Sequence, residues 1–161
     1  MITQVHVQEA DFDVGAVMAD MRTRHGSSLG ALVTFTGLVR DRNLTTGDAS
    51  EVATLTLEHY PGMTEQSIEQ ILSKAESRWP LLEIQVFHRV GTMAPAEQIV
   101  LVAVASAHRD AAFAGAEFVM DYLKTDAVFW KKEHTVKGVR WVQSSEADHQ
   151  RAHQWQVDKK T

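Results

Sequence analysis

The chain contains no cysteine, and this absence excludes several kinds of protein chemistry. Without thiols the protein has no disulfide scaffold, no cysteine-ligated zinc, no iron–sulfur cluster and no cysteine nucleophile. Long apolar segments are missing too. The longest apolar run, Ile99 to Ala105, is far shorter than the roughly 20 residues of a membrane helix. The first residues also lack the basic and apolar regions of a signal peptide.

Positive charge is scarce, with 16 Lys plus Arg against 21 Asp plus Glu and a net charge of −5. This balance disfavours a general nucleic-acid-binding protein. Together with the missing cysteines, it leads us to expect a soluble, cytoplasmic protein. The 161 residues are 44% hydrophobic and 23% charged, which is typical of a globular protein. A chain of this length fits one domain, spanning residues 1–161.

Apolar spacing predicts the secondary structure. Alternating or β-branched apolar residues predict strands near residues 5–7, 31–39, 52–60, 84–90, 99–105, 129–133 and 138–142. Helical spacing predicts helices over residues 14–24, 63–79, 109–124 and 145–155. We expect Asp13 and Ser106 to cap the first and third helices, and Pro80 to end the second. Polar residues 40–50 predict an exposed loop, and the last four residues should fray. The order of elements predicts an α+β or α/β fold with a small β appendage.

The segment from Ser106 to Arg109 joins the apolar strand to the long helix. His108 and Arg109 fall in the first helical turn, where the helix dipole favours anions rather than cations. Free backbone N–H groups together with these two side chains would bind an anion. The alternative is an exposed arginine that tolerates mild repulsion, and the segment alone does not decide between them.

Other basic residues also lie where elements meet. Lys124 closes the long helix, where a cation suits the negative end of the dipole. Lys131 follows two aromatic residues, which would bind a planar ring and lower the lysine pKa by desolvation. The plainer alternative is a strand with aromatics inward and lysines outward. Arg40 and Arg42 enter a loop, and Arg140 lies in a late strand. Convergence of these junctions would create an anion pocket in an otherwise acidic chain.

Metal sites and common catalytic motifs receive less support. His149 and His153 have the spacing of a metal pair on a helix, but no third ligand has a convincing position. A metal phosphoesterase using them with His59 or His108 is therefore a weak alternative. The chain has no GxSxG, Walker or GxGxxG motif. No resident metal or cofactor is expected.

Several motifs, in order, resemble the large, catalytic subunit of molybdopterin synthase. They are VTFTG at 33–37, VR at 39–40, LEHYPGM at 57–63, HRVG at 88–91, SAHR at 106–109, MDYLK at 120–124 and FWKKE at 129–133. The resemblance covers residues 31–142, with looser similarity in the N-terminal helix and in the tail after about residue 142. It implies an α/β hammerhead fold with an added small antiparallel β subdomain.

The resemblance also implies an activity and partners. Family members are sulfurtransferases of molybdenum cofactor biosynthesis that convert cyclic pyranopterin monophosphate (precursor Z) to molybdopterin. The sulfur comes from the C-terminal Gly-Gly thiocarboxylate of a small ubiquitin-like carrier subunit. A homodimer binding two carriers forms a heterotetramer. A chain without cysteine would need such an external sulfur donor.

Carried over by motif, the resemblance implies a site made of six basic residues. Arg40, His108 and Arg109 would hold the substrate phosphate, and Arg140 would contribute to the anion site. Lys124 would be the principal catalytic residue, and Lys131 would assist by binding pterin or transferring protons. The family often has proline before the Phe-Trp-Lys motif, where this chain has Val128. The alternative function is a non-catalytic dimeric platform that binds an anion or a partner.

Overall fold

Two four-stranded sheets organise the part of the chain that the structure describes. The structure is a computed structural model, and it describes residues 1–41 and 52–157. The elements are β1 (Ile2–Gln8), α1 (Val14–His25), β2 (Ala31–Leu38), β3 (Val52–His59), α2 (Met63–Glu76), β4 (Leu81–Arg89), β5 (Gly91–Met93), β6 (Gln98–Ser106), α3 (Arg109–Leu123), β7 (Phe129–Thr135), β8 (Gly138–Val142) and α4 (Glu146–Val157). Most of the predicted loop, Arg42 included, and the predicted frayed end lie outside the described residues.

The first sheet has the order β1-β4-β6-β2, and the second has the order β5-β3-β7-β8. Only β1 and β4 pair in parallel among the described strands, and every pair in the second sheet is antiparallel. This mixed arrangement, with a separate antiparallel sheet, confirms the predicted α+β class. The interior position of β6 also confirms the prediction of a central strand, because residues 101–105 are fully buried.

Helices cover both faces of the first sheet. Side chains that alternate along a strand point to opposite faces. Val102 and Val104 therefore join the core formed with α2 and α3, whereas Leu101 and Ala103 pack against α1 through Met21. This three-layer packing fixes both ends of α3 relative to the sheet. None of the described helices has the length and apolar character needed to cross a membrane.

Some predicted boundaries were wrong by a few residues. The second helix ends at Glu76 rather than at residue 79, and the Arg78 N–H there donates to the Ala75 carbonyl three residues back, in a tighter turn than the α-helix. Ser106 does not cap the third helix, because β6 continues through it. His108 is the N-cap instead, and the Ser106 hydroxyl accepts from its backbone N–H at 3.1 Å.

The C-terminal helix is anchored beside α3. The indole nitrogen of Trp155 donates to Asp121 at 2.8 Å, and Arg78 donates to the Trp155 carbonyl at 2.9 Å. The rings of Trp79 and Phe118 pack edge-on against the Trp155 ring, with centroids 5.4 Å away in both cases. These contacts hold the end of α4 against α3 and the residues that follow α2.

A buried carboxylate fastens α1 to the sheet. Glu83 on β4 has no solvent exposure, and it accepts hydrogen bonds from Arg24 at 2.7 and 2.9 Å and from Gln85 at 2.6 Å. His25 lies 2.6 Å from the same carboxylate. Burial raises the pKa of Glu83, but the hydrogen bonds from Gln85, His25 and Arg24 outweigh it and hold the pKa below the ordinary glutamate value.

Replacing Glu83 with glutamine should lower the free energy of unfolding by about 3 kcal/mol at pH 7, because it leaves Arg24 without its buried partner. A carboxylate whose pKa is depressed by folding stabilises the protein above its unfolded pKa, near 4.3. The difference between the two proteins should therefore shrink as the pH falls through the folded-state pKa.

Urea denaturation at pH 7 and at a series of pH values below 4 measures this difference. Glu69→Gln, on the exposed side of α2, is the control and should change stability by less than about 0.5 kcal/mol. An equal loss of stability at all of these pH values would contradict the electrostatic explanation.

Candidate active site

Strand β7 presents two chemically different faces. Phe129 packs inward on the small apolar core formed with Leu57 and Val39, and Lys131 follows it on the same face at the period of a strand. The intervening Trp130 is 46% exposed on the other face. This alternation turns one lysine of the Lys-Lys pair inward and its neighbour outward. Of the two aromatic residues before Lys131, only Phe129 shares its face of the strand.

Lys132 illustrates the outer face of β7. Its ammonium lies 3.5 Å from Glu58 and 4.6 Å from the centroid of the Trp141 ring. These contacts are those of a surface ion pair with a cation–π interaction. Lys132 therefore serves as a control for Lys131, since both lysines lie on one strand in similar sequence surroundings but point in opposite directions.

Arg140 reaches the inner face from the adjoining strand. The register pairs Arg140 with Glu133, and the Arg140 Nε lies 2.9 Å from Glu133 Oε2. Glu133 is only 4% exposed, so this carboxylate requires a cationic partner. Arg140 therefore has a structural role, as the partner of buried Glu133, in addition to any role in binding an anion.

Lys124 is placed by the end of α3. It is the C-cap residue, its N–H donates to Met120 at 3.3 Å, and its carbonyl accepts from the Ser144 hydroxyl at 2.5 Å. The prediction that Lys124 closes the helix is confirmed. The hydrogen bond from Ser144 ties the link between β8 and α4 to the same point, while the Lys124 side chain remains exposed.

Lys124, Lys131 and Arg40 form one cation cluster. Burial lowers the pKa of Lys131, the charges of Lys124 and Arg40 lower it further, and Glu133 and Asp148 act in the opposite direction. Within the described residues, none of the three clustered cations has an ion-pair partner. Unpaired cations beside a partly buried amine would hold an anion and exchange protons with it.

Two titratable residues at this cluster were not predicted from the sequence. His88 lies on β4, and its buried imidazole stacks on the Phe129 ring with centroids 3.9 Å apart. Asp148 lies in the first turn of α4, accepts from the Ser145 N–H at 3.1 Å, and interacts with Lys124. His88 lies in the HRVG motif at residues 88–91, and this motif is the only feature of the sequence that points to it. Asp148 has no signal beyond its position three residues after a serine.

The structure does not bring His108 and Arg109 to the cation cluster of the same chain. They begin α3, whereas Lys124 ends it, and 15 residues at 1.5 Å each separate the ends of the helix by about 22 Å. The turn that leads into His108 packs closely against Gly30. Any side chain at Gly30 would collide with the Ala107 carbonyl oxygen. Both predicted phosphate ligands are exposed at that end.

Val128 is held by two hydrogen bonds. Its N–H donates to the Ser67 hydroxyl at 3.2 Å, and its carbonyl accepts from the Thr64 hydroxyl at 2.7 Å. A proline would lack the first of these donors. Helix α2 therefore fixes the backbone that leads into Phe129 and Lys131 in this chain.

The histidine pair on α4 forms no metal site with other described residues. His149 and His153 are exposed. The part of the chain that the structure describes contains no group of three histidine or carboxylate side chains placed to hold a metal ion.

Replacing Lys124 with glutamine should raise the pKa of Lys131, because it removes a nearby positive charge that disfavours the ammonium form. NMR titration of the Lys131 Nζ resonance measures this change. Arg22→Gln, on α1 across the first sheet, is the matched control and should leave the titration unaltered. If the Lys131 pKa is the same in Lys124→Gln as in the wild type, the two lysines do not form a cluster.

Comparisons with known proteins identify the family of this chain. The family model for the MoaE protein matches residues 7–126. A molybdopterin synthase catalytic subunit from Vibrio cholerae is 53% identical over 153 residues, covering 95% of this chain and 98% of the relative. A solved MoaE protein from Burkholderia ambifaria superimposes with a TM-score of 0.80 at 45% identity, covering 96% of this chain and 99% of the other.

A more distant structure shares the fold. It is a complex of subunits 1 and 2 of molybdopterin-converting factor from Helicobacter pylori, matched with a TM-score of 0.65 at 16% identity over 91% of this chain and 92% of that chain. The family model, the high identity over nearly the full length and the shared fold lead to one conclusion. The chain belongs to the MoaE family.

Proposed function

We propose that this chain transfers sulfur from the C-terminal thiocarboxylate of a small carrier subunit to cyclic pyranopterin monophosphate, forming the dithiolene of molybdopterin. As a MoaE family member, the chain is an enzyme of molybdenum cofactor biosynthesis, the catalytic subunit of molybdopterin synthase. The observation that carries the sulfur-transfer proposal is the cluster of Lys124, Lys131 and Arg40, which has no ion-pair partner in the described residues.

The sulfur donor is a partner because the chain itself has no cysteine. A complex of two subunits is seen in the molybdopterin-converting factor from Helicobacter pylori. We assign the corresponding partner here to a small carrier with a C-terminal Gly-Gly thiocarboxylate. Its anionic end suits the unpaired ammonium of Lys124, which is exposed at the end of α3 and accessible to an incoming peptide tail.

The two lysines receive different roles because their environments differ. Lys131 is partly buried and its pKa is lowered, so it exchanges protons more readily near neutral pH than an exposed lysine. Lys124 is exposed and is assigned to the thiocarboxylate and the reacting carbon. Arg40 and Arg140 are assigned to the substrate's negative charge, with Arg140 also holding Glu133.

His108 and Arg109 enter this proposal through a homodimer. On α3 the exposed positions Arg109, Phe113 and Lys124 fall on one side of the helix, and Phe113 is 63% exposed. Antiparallel pairing of α3 about a two-fold axis would bring Arg109 of a second copy beside Lys124 of the first. Two such pockets, each with a carrier, make the heterotetramer. We place this assembly in the cytoplasm.

The first test compares the two lysines of β7 with Lys124. In single turnover with thiocarboxylated carrier and precursor Z, Lys124→Ala and Lys131→Ala should each slow product formation by about 10²–10⁴-fold, a loss typical for proton-transfer groups. The product is followed by the fluorescence of its oxidised form.

Lys132→Ala is the matched control, since it removes the outward lysine and should change the rate by less than about twofold. All three variants should bind the carrier. Full turnover by folded Lys124→Ala would refute its catalytic role, and a reaction rate unchanged by all three substitutions would favour the non-catalytic binding platform.

The second test mixes two inactive variants. A dimer of one Lys124→Ala chain and one Arg109→Ala chain has one pocket with both defects and one pocket with neither. After subunit exchange, a shared site should recover about one quarter of the wild-type activity, because half of the dimers are mixed and each has one intact pocket. Absence of recovery in verified mixed dimers would mean that each chain forms its site alone.

A further inference from the structure

His88 is a buried titratable residue to which the proposed reaction gives no role. It lies near the end of β4 with 8% of its surface exposed, and its ring stacks on Phe129 at an interplanar angle of 24°. Phe129 and Lys131 occupy the same face of β7, two residues apart. The imidazole therefore lies directly beneath the strand segment that presents the catalytic lysine.

One hydrogen bond fixes the tautomer of His88. The Nδ1 atom lies 3.1 Å from the Arg89 carbonyl oxygen, which can only accept. In the neutral ring the hydrogen must therefore be on Nδ1, and Nε2 carries the lone pair. No described residue forms a hydrogen bond with Nε2, so the ring keeps one acceptor available.

The charged groups around His88 maintain its neutral form. Burial lowers its pKa to about 4, the Arg89 carbonyl opposes this shift, and Lys131 and Lys124 add to it. Lys131 in turn faces Lys124 from α3, Arg40 from the segment after β2, Glu133 on its own strand and Asp148 from α4. His88 is thus a neutral acceptor among cations at any pH well above 4.

We propose that His88 is the positioning residue of Lys131: the Nε2 lone pair accepts a hydrogen bond from the Lys131 ammonium, and the stacked ring holds Phe129 so that this amine faces the pocket. Lys131 has no hydrogen-bond or ion-pair partner among the described residues, and its flexible side chain can turn toward the imidazole. This inference rests on the catalytic role proposed above for Lys131. It adds an acceptor that stabilises the charged lysine between successive proton transfers.

Three substitutions at His88 distinguish its role as a hydrogen-bond acceptor from its role in packing. His88→Phe preserves the stacked ring without nitrogen, and His88→Asn preserves a donor for the Arg89 carbonyl but opens space. His88→Gln can place its side-chain oxygen where Nε2 lies. Phenylalanine increases the desolvation of Lys131 and asparagine admits water, so packing effects alone would move the Lys131 pKa in opposite directions.

NMR titration of the Lys131 Nζ resonance in the full chain decides between these effects. The acceptor role predicts that both His88→Phe and His88→Asn lower the Lys131 pKa, raising its amine-to-ammonium ratio at a fixed pH by about threefold or more. His88→Gln should restore the ratio to within about 1.5-fold of wild type. The Nζ resonance of Lys74, on α2, should not respond.

The proposal would be overturned if the Lys131 pKa shifts in opposite directions in His88→Phe and His88→Asn, or if it is unchanged in the folded variants. The acid side of the pH profile for product formation should move with the measured Lys131 pKa. If Lys131→Ala proves harmless to turnover, the catalytic role of Lys131 fails, and the titration still decides whether His88 accepts from it.

Discussion

The length of α3 is the constraint on which the candidate site depends. The small buried residues Ala112, Gly115 and Ala116 let the helix lie close on β6 and β4, and an added methyl group at Gly115 would meet Leu81 at 3.1 Å. Because this packing fixes the helix against the sheet, its two ends stay about 22 Å apart. One chain therefore carries two separate basic ends, and a single anion pocket containing both requires two chains.

At the lysine end, four separate parts of the chain control one amine. Strand β7 points Lys131 inward, α3 brings Lys124, the segment after β2 brings Arg40, and the start of α4 brings Asp148. Burial and like charges act against the ammonium, while two carboxylates favour it. The balance leaves a lysine that changes its protonation state more easily than one in water, which is the property that acid–base chemistry requires.

Local patterns predicted most of the fold because they report local physics. Asp13 caps α1 through its carboxylate, and the uninterrupted apolar run became the buried central strand β6. The prediction of Ser106 as the N-cap was wrong because strand pairing extends β6 through that residue, a tertiary effect that the local spacing does not show. The short strand β5 has too few residues to produce a pattern.

The candidate site was predicted less completely than the fold. The sequence identified Lys124 as the end of a helix and suggested that basic junctions converge, and the structure brings three of them together. It did not identify His88 or Asp148, because their importance comes from residues of other elements: Lys124 and Lys131 for His88, and Lys124 for Asp148. The length of the helix predicted over residues 109–124 already implied that its two ends are too distant to share one pocket within a single chain.

The hydrogen bond between Val128 and Ser67 links the start of β7 to α2. With proline at position 128 there would be no N–H to donate, so the Ser67 hydroxyl would lose that partner. Proline itself restricts the backbone torsion that the hydrogen bond otherwise holds. In this chain a side-chain acceptor on α2 therefore supplies a restraint that a proline ring would supply covalently, and the backbone entering β7 depends on a hydroxyl more than 60 residues earlier.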